Sequence, residues 1–186
     1  MMEKVCVFLA DGFEEIEGLT VVDLLRRAGE EVVTVSIMGR KEITGSHGIQ
    51  VMADELFENV DFSQAKLLVL PGGMPGTKYL GAHEELTKLL VQWNEENKML
   101  AAICAAPSVF GDLGLLKGKE AVCYPGFEER LTGASIGTGA VAADGNITTS
   151  RGLGTAIDFA ASLIGQLQNE EKAEEIKKSI IYGLFR

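Results

Sequence analysis

The sequence is poor in the residues that staple, coordinate or insert. It holds three cysteines, an odd number, at positions 6, 104 and 123, and no two of them form a C-x-x-C pair. The only histidines are His47 and His83. Both counts argue against a disulfide framework and against a zinc site, and no metal or organic cofactor is expected. Basic charge is also scarce: Lys and Arg number 17 against 27 Asp and Glu, for a formal net charge of -10. Phosphate contacts supply most non-specific nucleic-acid affinity, and anionic lipid surfaces recruit basic segments, so neither nucleic acid nor membrane is an expected partner. No apolar run approaches membrane-spanning length. The first one, Val5 to Ala10, is too short for a secretory leader and runs directly into Asp11 and Glu14. Free thiols without a leader point to a reducing, cytoplasmic setting. With four prolines and glycines scattered throughout, no linker, repeat or low-complexity tract is visible.

What is present is a balanced globular composition, 46% hydrophobic and 24% charged. At 186 residues it suits one continuous domain over 1–186, large enough to bury a core without staples. Strand and helix patterns alternate. Val5–Leu9, Glu31–Ile37, Lys66–Leu70 and Met99–Ile103 are short apolar or β-branched runs that read as core strands. Glu14–Ala28 reads as a helix with an inward stripe of Ile16, Leu19, Val22 and Leu25, stopped by Gly29. His83–Asn97, Ala106–Leu113, Thr155–Leu167 and Glu170–Ile181 complete the helices. Glu42–Ala53 reads as a hairpin around Ser46-His47-Gly48, Glu120–Cys123 as a fifth strand, and Val141–Thr149 as a hairpin around Asp144-Gly145-Asn146. The alternation predicts an α/β fold with a mostly parallel central sheet and helices on both faces. In such sheets sites form at the carboxyl ends of the strands, near the reversal of strand order. The strand exits at Asp11-Gly12, Pro71-Gly72-Gly73 and Cys104-Ala105-Ala106 are therefore the places where chemistry is expected.

Cys104 ends an apolar strand and precedes Pro107, which suits a first helical turn, so the sulfur is expected at a helix N-terminus that favours a thiolate. A buried cysteine packed as a small hydrophobe explains the position about as well. Gly72 and Gly73 offer unshielded backbone, and an N–H there together with that of Ala105 would form an oxyanion hole; a plain turn is the simpler alternative. Glu14 and Glu15 suit a first helical turn by the helix dipole alone. Glu17 lies beside the apolar stripe and is expected to face the sheet, where a buried carboxyl group next to a thiolate would keep its proton. Nucleotide-binding motifs fail in detail. Gly72 to Lys78 lacks the phosphate-loop spacing and Gly152-Leu153-Gly154 lacks a third glycine. Ser150-Arg151-Gly152 precedes a helix and reads equally as an anion site or a salt-bridged cap.

These residues fall into segments that resemble the ThiJ/PfpI (DJ-one) superfamily over nearly the full chain, in the clade of the parkinsonism-linked protein and its bacterial relatives. The segments are Ala10-Asp11-Gly12-Phe13-Glu14-Glu15-Ile16-Glu17, Arg26-Arg27-Ala28-Gly29, Leu70-Pro71-Gly72-Gly73, Ala101-Ala102-Ile103-Cys104-Ala105-Ala106-Pro107 and Thr149-Ser150-Arg151-Gly152-Leu153-Gly154-Thr155. The resemblance implies a flavodoxin-like three-layer sandwich and a homodimer. It implies Cys104 as the nucleophile at a strained elbow, Glu17 as the partner of its sulfur, and Gly73 and Ala105 as oxyanion donors. It also implies glyoxalase or deglycase activity on reactive carbonyls such as methylglyoxal, or a protective, chaperone-like or oxidation-sensing role through Cys104. Thiazole-biosynthesis and protease labels also occur in the superfamily. The chain departs from it in places. Ala105 stands where the protease-like clade has a His after the nucleophile, which argues against a peptidase. Tyr124, before Pro125, stands where the parkinsonism-linked member has a pocket His, and is placed in the substrate-binding set with Gly72. His47 stands where that clade often has an Arg, and is expected to serve the loop. Cys6 and Cys123 match no functional position; Cys6 is expected in the core and Cys123 as a modest secondary redox site.

Overall fold

The computed structural model describes residues 3–183. In chain order the elements are β1 (Lys4–Leu9), α1 (Glu15–Arg27), β2 (Glu31–Ser36), the strands β3 (Glu42–Thr44) and β4 (Gln50–Met52), and β5 (Glu55–Leu56). Then follow β6 (Ala65–Leu70), α2 (Gly76–Ala82), α3 (Glu84–Glu95), β7 (Met99–Ile103), α4 (Pro107–Asp112), β8 (Glu120–Ala121) and β9 (Ser135–Ile136). The chain closes with β10 (Val141–Asp144), β11 (Ile147–Ser150), α5 (Ala156–Leu167) and α6 (Glu170–Ser179). Seven strands form the central sheet in the order β10-β11-β7-β6-β1-β2-β5. Every pairing in it is parallel except that of β10 with β11.

Each central strand is buried on both faces because its side chains alternate between two cores. In β1, Val5, Val7 and Leu9 join the layer under α1, α5 and α6, where Phe159, Leu163 and Ile164 pack. Cys6 and Phe8 point the other way, into the layer with Leu86, Leu90, Trp93 and Phe110. The result is the predicted flavodoxin-like α/β sandwich. The winding reverses at β1, which has β2 on one side and β6 on the other. The exits of β1, β6 and β7 thus lie side by side at the switch point.

Two expectations need correction, and one element is new. In α1 the buried face is Val21, Val22, Leu24 and Leu25, with Gly18 and Glu17; Ile16 is 50% exposed and Leu19 36% exposed. The helix turns Glu17 inward because Gly18 packs against Phe13 and Pro71 with no room for a side chain. The predicted fifth strand is only Glu120–Ala121, and it pairs with β9 in a separate two-stranded sheet. The central sheet is completed instead by β11, next to β7, and by the two-residue edge strand β5. A seven-residue helix, α2, also occupies the Gly/Pro-rich stretch after Gly73, where no apolar periodicity announces it.

The β6 exit is fastened to the β1 exit by backbone contact. The Glu14 N–H donates to the Gly72 carbonyl at 2.9 Å and the Gly76 N–H to the Gly12 carbonyl at 3.3 Å. Gly73 has φ +90°, and a Cβ there would lie 2.3 Å from the Glu14 nitrogen and 2.6 Å from the Gly12 oxygen. Gly73→Ala is therefore expected to destabilise the protein by about 2–4 kcal/mol, combining left-handed strain with a backbone clash. Urea denaturation measures this; a loss below about 0.5 kcal/mol, within the range of an ordinary surface substitution, would contradict the close approach.

Candidate active site

Cys104 follows β7 directly, with φ +67°, a left-handed conformation that side chains rarely adopt. Two bonds hold the elbow: the Cys104 N–H donates to the Ser150 carbonyl at 3.0 Å, and its carbonyl accepts from the Tyr124 N–H at 2.8 Å. Pro107 then opens α4, and the Ser108 hydroxyl donates to the Ala105 carbonyl at 2.7 Å. Strain of this kind is worth roughly 1–2 kcal/mol and persists only where neighbours fix it on both sides. It aims the sulfur away from the sheet toward the β1 and β6 exits.

Glu17 meets it there. The side chain is 1% exposed. Its carboxyl group stands within hydrogen-bonding reach of the Cys104 sulfur and accepts from the Gly72 and Leu153 backbone N–H groups, the first at 3.1 Å. The Gly73 and Ala105 N–H groups approach the sulfur from the backbone. Gly72 makes the meeting possible, since a Cβ there would lie 2.5 Å from Cys104 Cβ and 2.6 Å from Glu17 Oε2.

Burial pushes the Glu17 carboxyl up to about 7, against which its hydrogen bonds only partly act. Burial, and then the Glu17 charge, push the Cys104 thiol up to about 12, despite the two N–H groups. The expected stabilisation of a thiolate by a helix N-terminus is thus outweighed. The helix begins three residues beyond Cys104 and is six residues long, whereas the carboxyl group is in contact with the sulfur. The two values describe one coupled pair. Near pH 7 the pair loses a first proton, from Glu17, and burial and the Glu17 charge hold the second on sulfur. Removing that second proton would place two anions side by side in a desolvated site.

A cavity of about 400 Å³ opens over the sulfur, lined by Glu14, His47, Met74, Tyr124, Phe127 and Leu153, among others. Tyr124 is 51% exposed, and a Cβ added to Gly152 beside it would lie 3.3 Å from its ring and 3.7 Å from Glu17 Oε1. Gly73 and Ala105 also line the cavity, whereas Gly72 lies beneath, donating to Glu17. Cys6 and Cys123 are buried, and their thiols are raised by burial to about 12 and about 11. Ser150 and Thr155 share a 2.7 Å hydroxyl contact that closes the turn before α5, and Arg151 makes no ion pair among the described residues. The turn is thus capped by hydroxyl and backbone bonds and not by a salt bridge.

Glu15 was legible only as a first-turn acid, yet it anchors the mouth of the cavity. It is 2% exposed and accepts from the His47 N–H at 2.8 Å and the Ile49 N–H at 3.3 Å, with His47 Nδ1 at 3.0 Å. Burial alone would raise this carboxyl, but the His47 side-chain and backbone bonds hold it down to about 2. His47 is raised in turn, by its bond to Glu15 and by the Glu14 charge. Glu14, Glu15 and His47 place ligand-type atoms within 4.8 Å of one another. Those of Glu15 and His47 are engaged in fastening the hairpin of β3 and β4 to α1. The partners lie 32 residues apart, so no local pattern could announce the clamp.

The DJ-1/PfpI family profile matches residues 3–166. The chain belongs to the DJ-1/PfpI family. It is 38% identical to protein DJ-1 homolog B of Arabidopsis thaliana over 96% of its own length, but only 41% of that protein's. It therefore spans less than half the length of the plant relatives it matches. With the Drosophila melanogaster protein dj-1beta it shares 33% identity over 97% of this chain and 98% of that one. Among solved structures it is similar to oxidized Toxoplasma gondii DJ-1, with a TM-score of 0.93 and 38% identity over 97% of this chain and 99% of that chain.

In this DJ-1/PfpI chain the coupling of Glu17 to Cys104 has two measurable consequences. Alkylation of Cys104 should accelerate as pH rises through about 7, as the pair loses its first proton, and Glu17→Gln should remove that inflection. Stability carries the same signature. Because the folded-state pKa of Glu17 lies above its ordinary value of 4.5, its contribution is present below about 4.5 and lost as pH rises through about 7. Glu17→Gln should flatten that decline in urea titrations. An unchanged alkylation profile in the variant would refute the coupling.

Proposed function

We propose that the chain is a cysteine-dependent, glutathione-independent glyoxalase of deglycase type, acting on reactive carbonyls such as methylglyoxal in a reducing, cytoplasmic setting. One observation carries the reading: at a strained elbow, the Cys104 sulfur faces a half-protonated carboxyl group and two backbone N–H groups. Nucleophile, proton carrier and oxyanion donors are together in one cavity.

The steps balance with water alone. With the pair's proton on Glu17, the sulfur adds to the aldehyde carbon. A C–S bond forms, the carbonyl π pair moves to oxygen near the Gly73 and Ala105 N–H groups, and oxygen takes up the Glu17 proton. Glu17, now ionised, takes the proton from the former aldehyde carbon and returns it to the neighbouring carbon, while the hydroxyl proton passes from the first oxygen to the second. The first carbon becomes a thioester and the second a secondary alcohol, so oxidation and reduction stay within the substrate. Water then cleaves the C–S bond, releasing the 2-hydroxy acid and restoring the thiol. Addition to a glycated amine's carbonyl starts in the same way.

A second reading, a redox sensor with a protective role, is favoured by a separate observation. Of the three thiols only Cys104 is not buried, and the Toxoplasma gondii relative was solved oxidized. We also propose a homodimer. Exposed Ile16 and Leu19 of α1, with Ile49 of the hairpin, border an apolar groove of about 470 Å³ that a second copy would cover.

Purified protein should form lactate from methylglyoxal, and Cys104→Ser should abolish it; absence of product, or full activity in the variant, would overturn the enzyme reading. Mild peroxide should then add oxygen selectively at Cys104 by mass spectrometry, and equal oxidation of Cys6 and Cys123 would overturn the sensor. Leu19→Asp should shift sedimentation from dimer to monomer, and a monomeric wild type would overturn the homodimer.

A further inference from the structure

The cavity over Cys104 has a chemical bias that its catalytic pair does not require. Its rim is apolar and accessible: Met74 is 40% exposed, Tyr124 51% and Leu153 47%, with Phe127 completing the wall. Large hydrophobic side chains left exposed around a concave site mark the part of a ligand that the site is built to cover. The volume of about 400 Å³ is far more than a three-carbon carbonyl fills.

The charge at the same site is one-sided. Glu14 and Glu17 line the cavity, Glu15 lies behind His47, and no Lys or Arg lines it among the described residues. His47 is the one lining group able to carry positive charge, and its Nδ1 is already engaged, 3.0 Å from Glu15 and 3.3 Å from Glu14. Arg151, whose charge is felt at Cys123, does not line the cavity. A carboxylate-bearing ligand would therefore enter against two acidic side chains, with only the His47 ring, already paired with Glu14 and Glu15, to offset them.

We infer that this site selects uncharged electrophiles bearing an aryl or bulky alkyl group and rejects those bearing a carboxylate, with Tyr124 and Leu153 as specificity-determining residues and Glu14 as the charge filter. As a statement about substrates this rests on the carbonyl reading above; as a statement about the cavity it does not. The predicted substrate class is aryl- or alkyl-substituted 2-oxoaldehydes rather than 2-oxo acids. Tyr124, on the loop after β8, and Leu153, after β11, both line the mouth, so a flat ring can lie against them.

The test has two arms. In the first, Cys104 is alkylated by iodoacetamide, iodoacetate and N-phenyl iodoacetamide, each rate normalised to that of a small free thiol. Iodoacetamide should exceed iodoacetate by about tenfold, and the phenyl reagent should gain about fivefold more. Glu14→Gln should narrow the first ratio. Tyr124→Ala and Leu153→Ala should narrow the second, while Tyr124→Phe, which keeps the ring, should preserve it. Equal normalised rates in the wild type, or ratios that ignore all of these variants, overturn the inference. In the second arm, kcat/KM is compared for phenylglyoxal, methylglyoxal and glyoxylate. The order phenylglyoxal, methylglyoxal, glyoxylate supports it, and glyoxylate at or above phenylglyoxal overturns it. If no substrate turns over but the alkylation ratios hold, the selectivity stands and the enzyme reading falls.

Discussion

The contact between the Glu17 carboxyl group and the Cys104 sulfur is the constraint around which this end of the molecule is arranged. Two ionisable groups are brought together out of water, and the site tolerates only one negative charge between them. The backbone around the pair is shaped by that requirement. Gly72 leaves out a side chain that would strike both residues. Gly18 lets α1 settle against Phe13 and Pro71 so that Glu17 turns inward. The left-handed backbone at Cys104 directs the sulfur to meet it.

Glu15 and Glu17 show how environment assigns roles to like residues two positions apart. Both are essentially buried. Glu15 is surrounded by donors from the hairpin and is held down to about 2; it is a structural anion that pins His47 at the cavity mouth. Glu17 receives two backbone donors and a sulfur, and burial leaves it at about 7; it is a group that gives and takes a proton. The hairpin of β3 and β4 thus contributes no reacting atom, yet it sets the shape and charge of the entrance.

The sheet and most helices were legible because period-two and helical patterns are local, and β1, β6 and β7 are short apolar runs ended by turn residues. The grouping of Cys104, Glu17, Gly72 and Gly73 was legible through the rule that parallel strands gather their exits at one edge. The stripe of α1 was misread because Ile16 and Leu19 are apolar but face outward, while the inward face admits Gly18 and a carboxylate. The acidity of Cys104 was misread because helix position is visible in sequence, whereas desolvation by partners distant along the chain is not. The Glu15–His47 clamp and the helix α2 were missed for the same reason: contacts, not composition, define them.

The central claim is that Glu17 holds its proton up to neutral pH because it is buried, against the Cys104 sulfur, where its charged form is poorly solvated. The most direct measurement is the side-chain carboxyl carbon shift of Glu17 in selectively labelled protein, followed by nuclear magnetic resonance across pH 3 to 9. The account predicts a titration near pH 7, perturbed when Cys104 is alkylated. A midpoint near the ordinary 4.5, unmoved by alkylation, would contradict it.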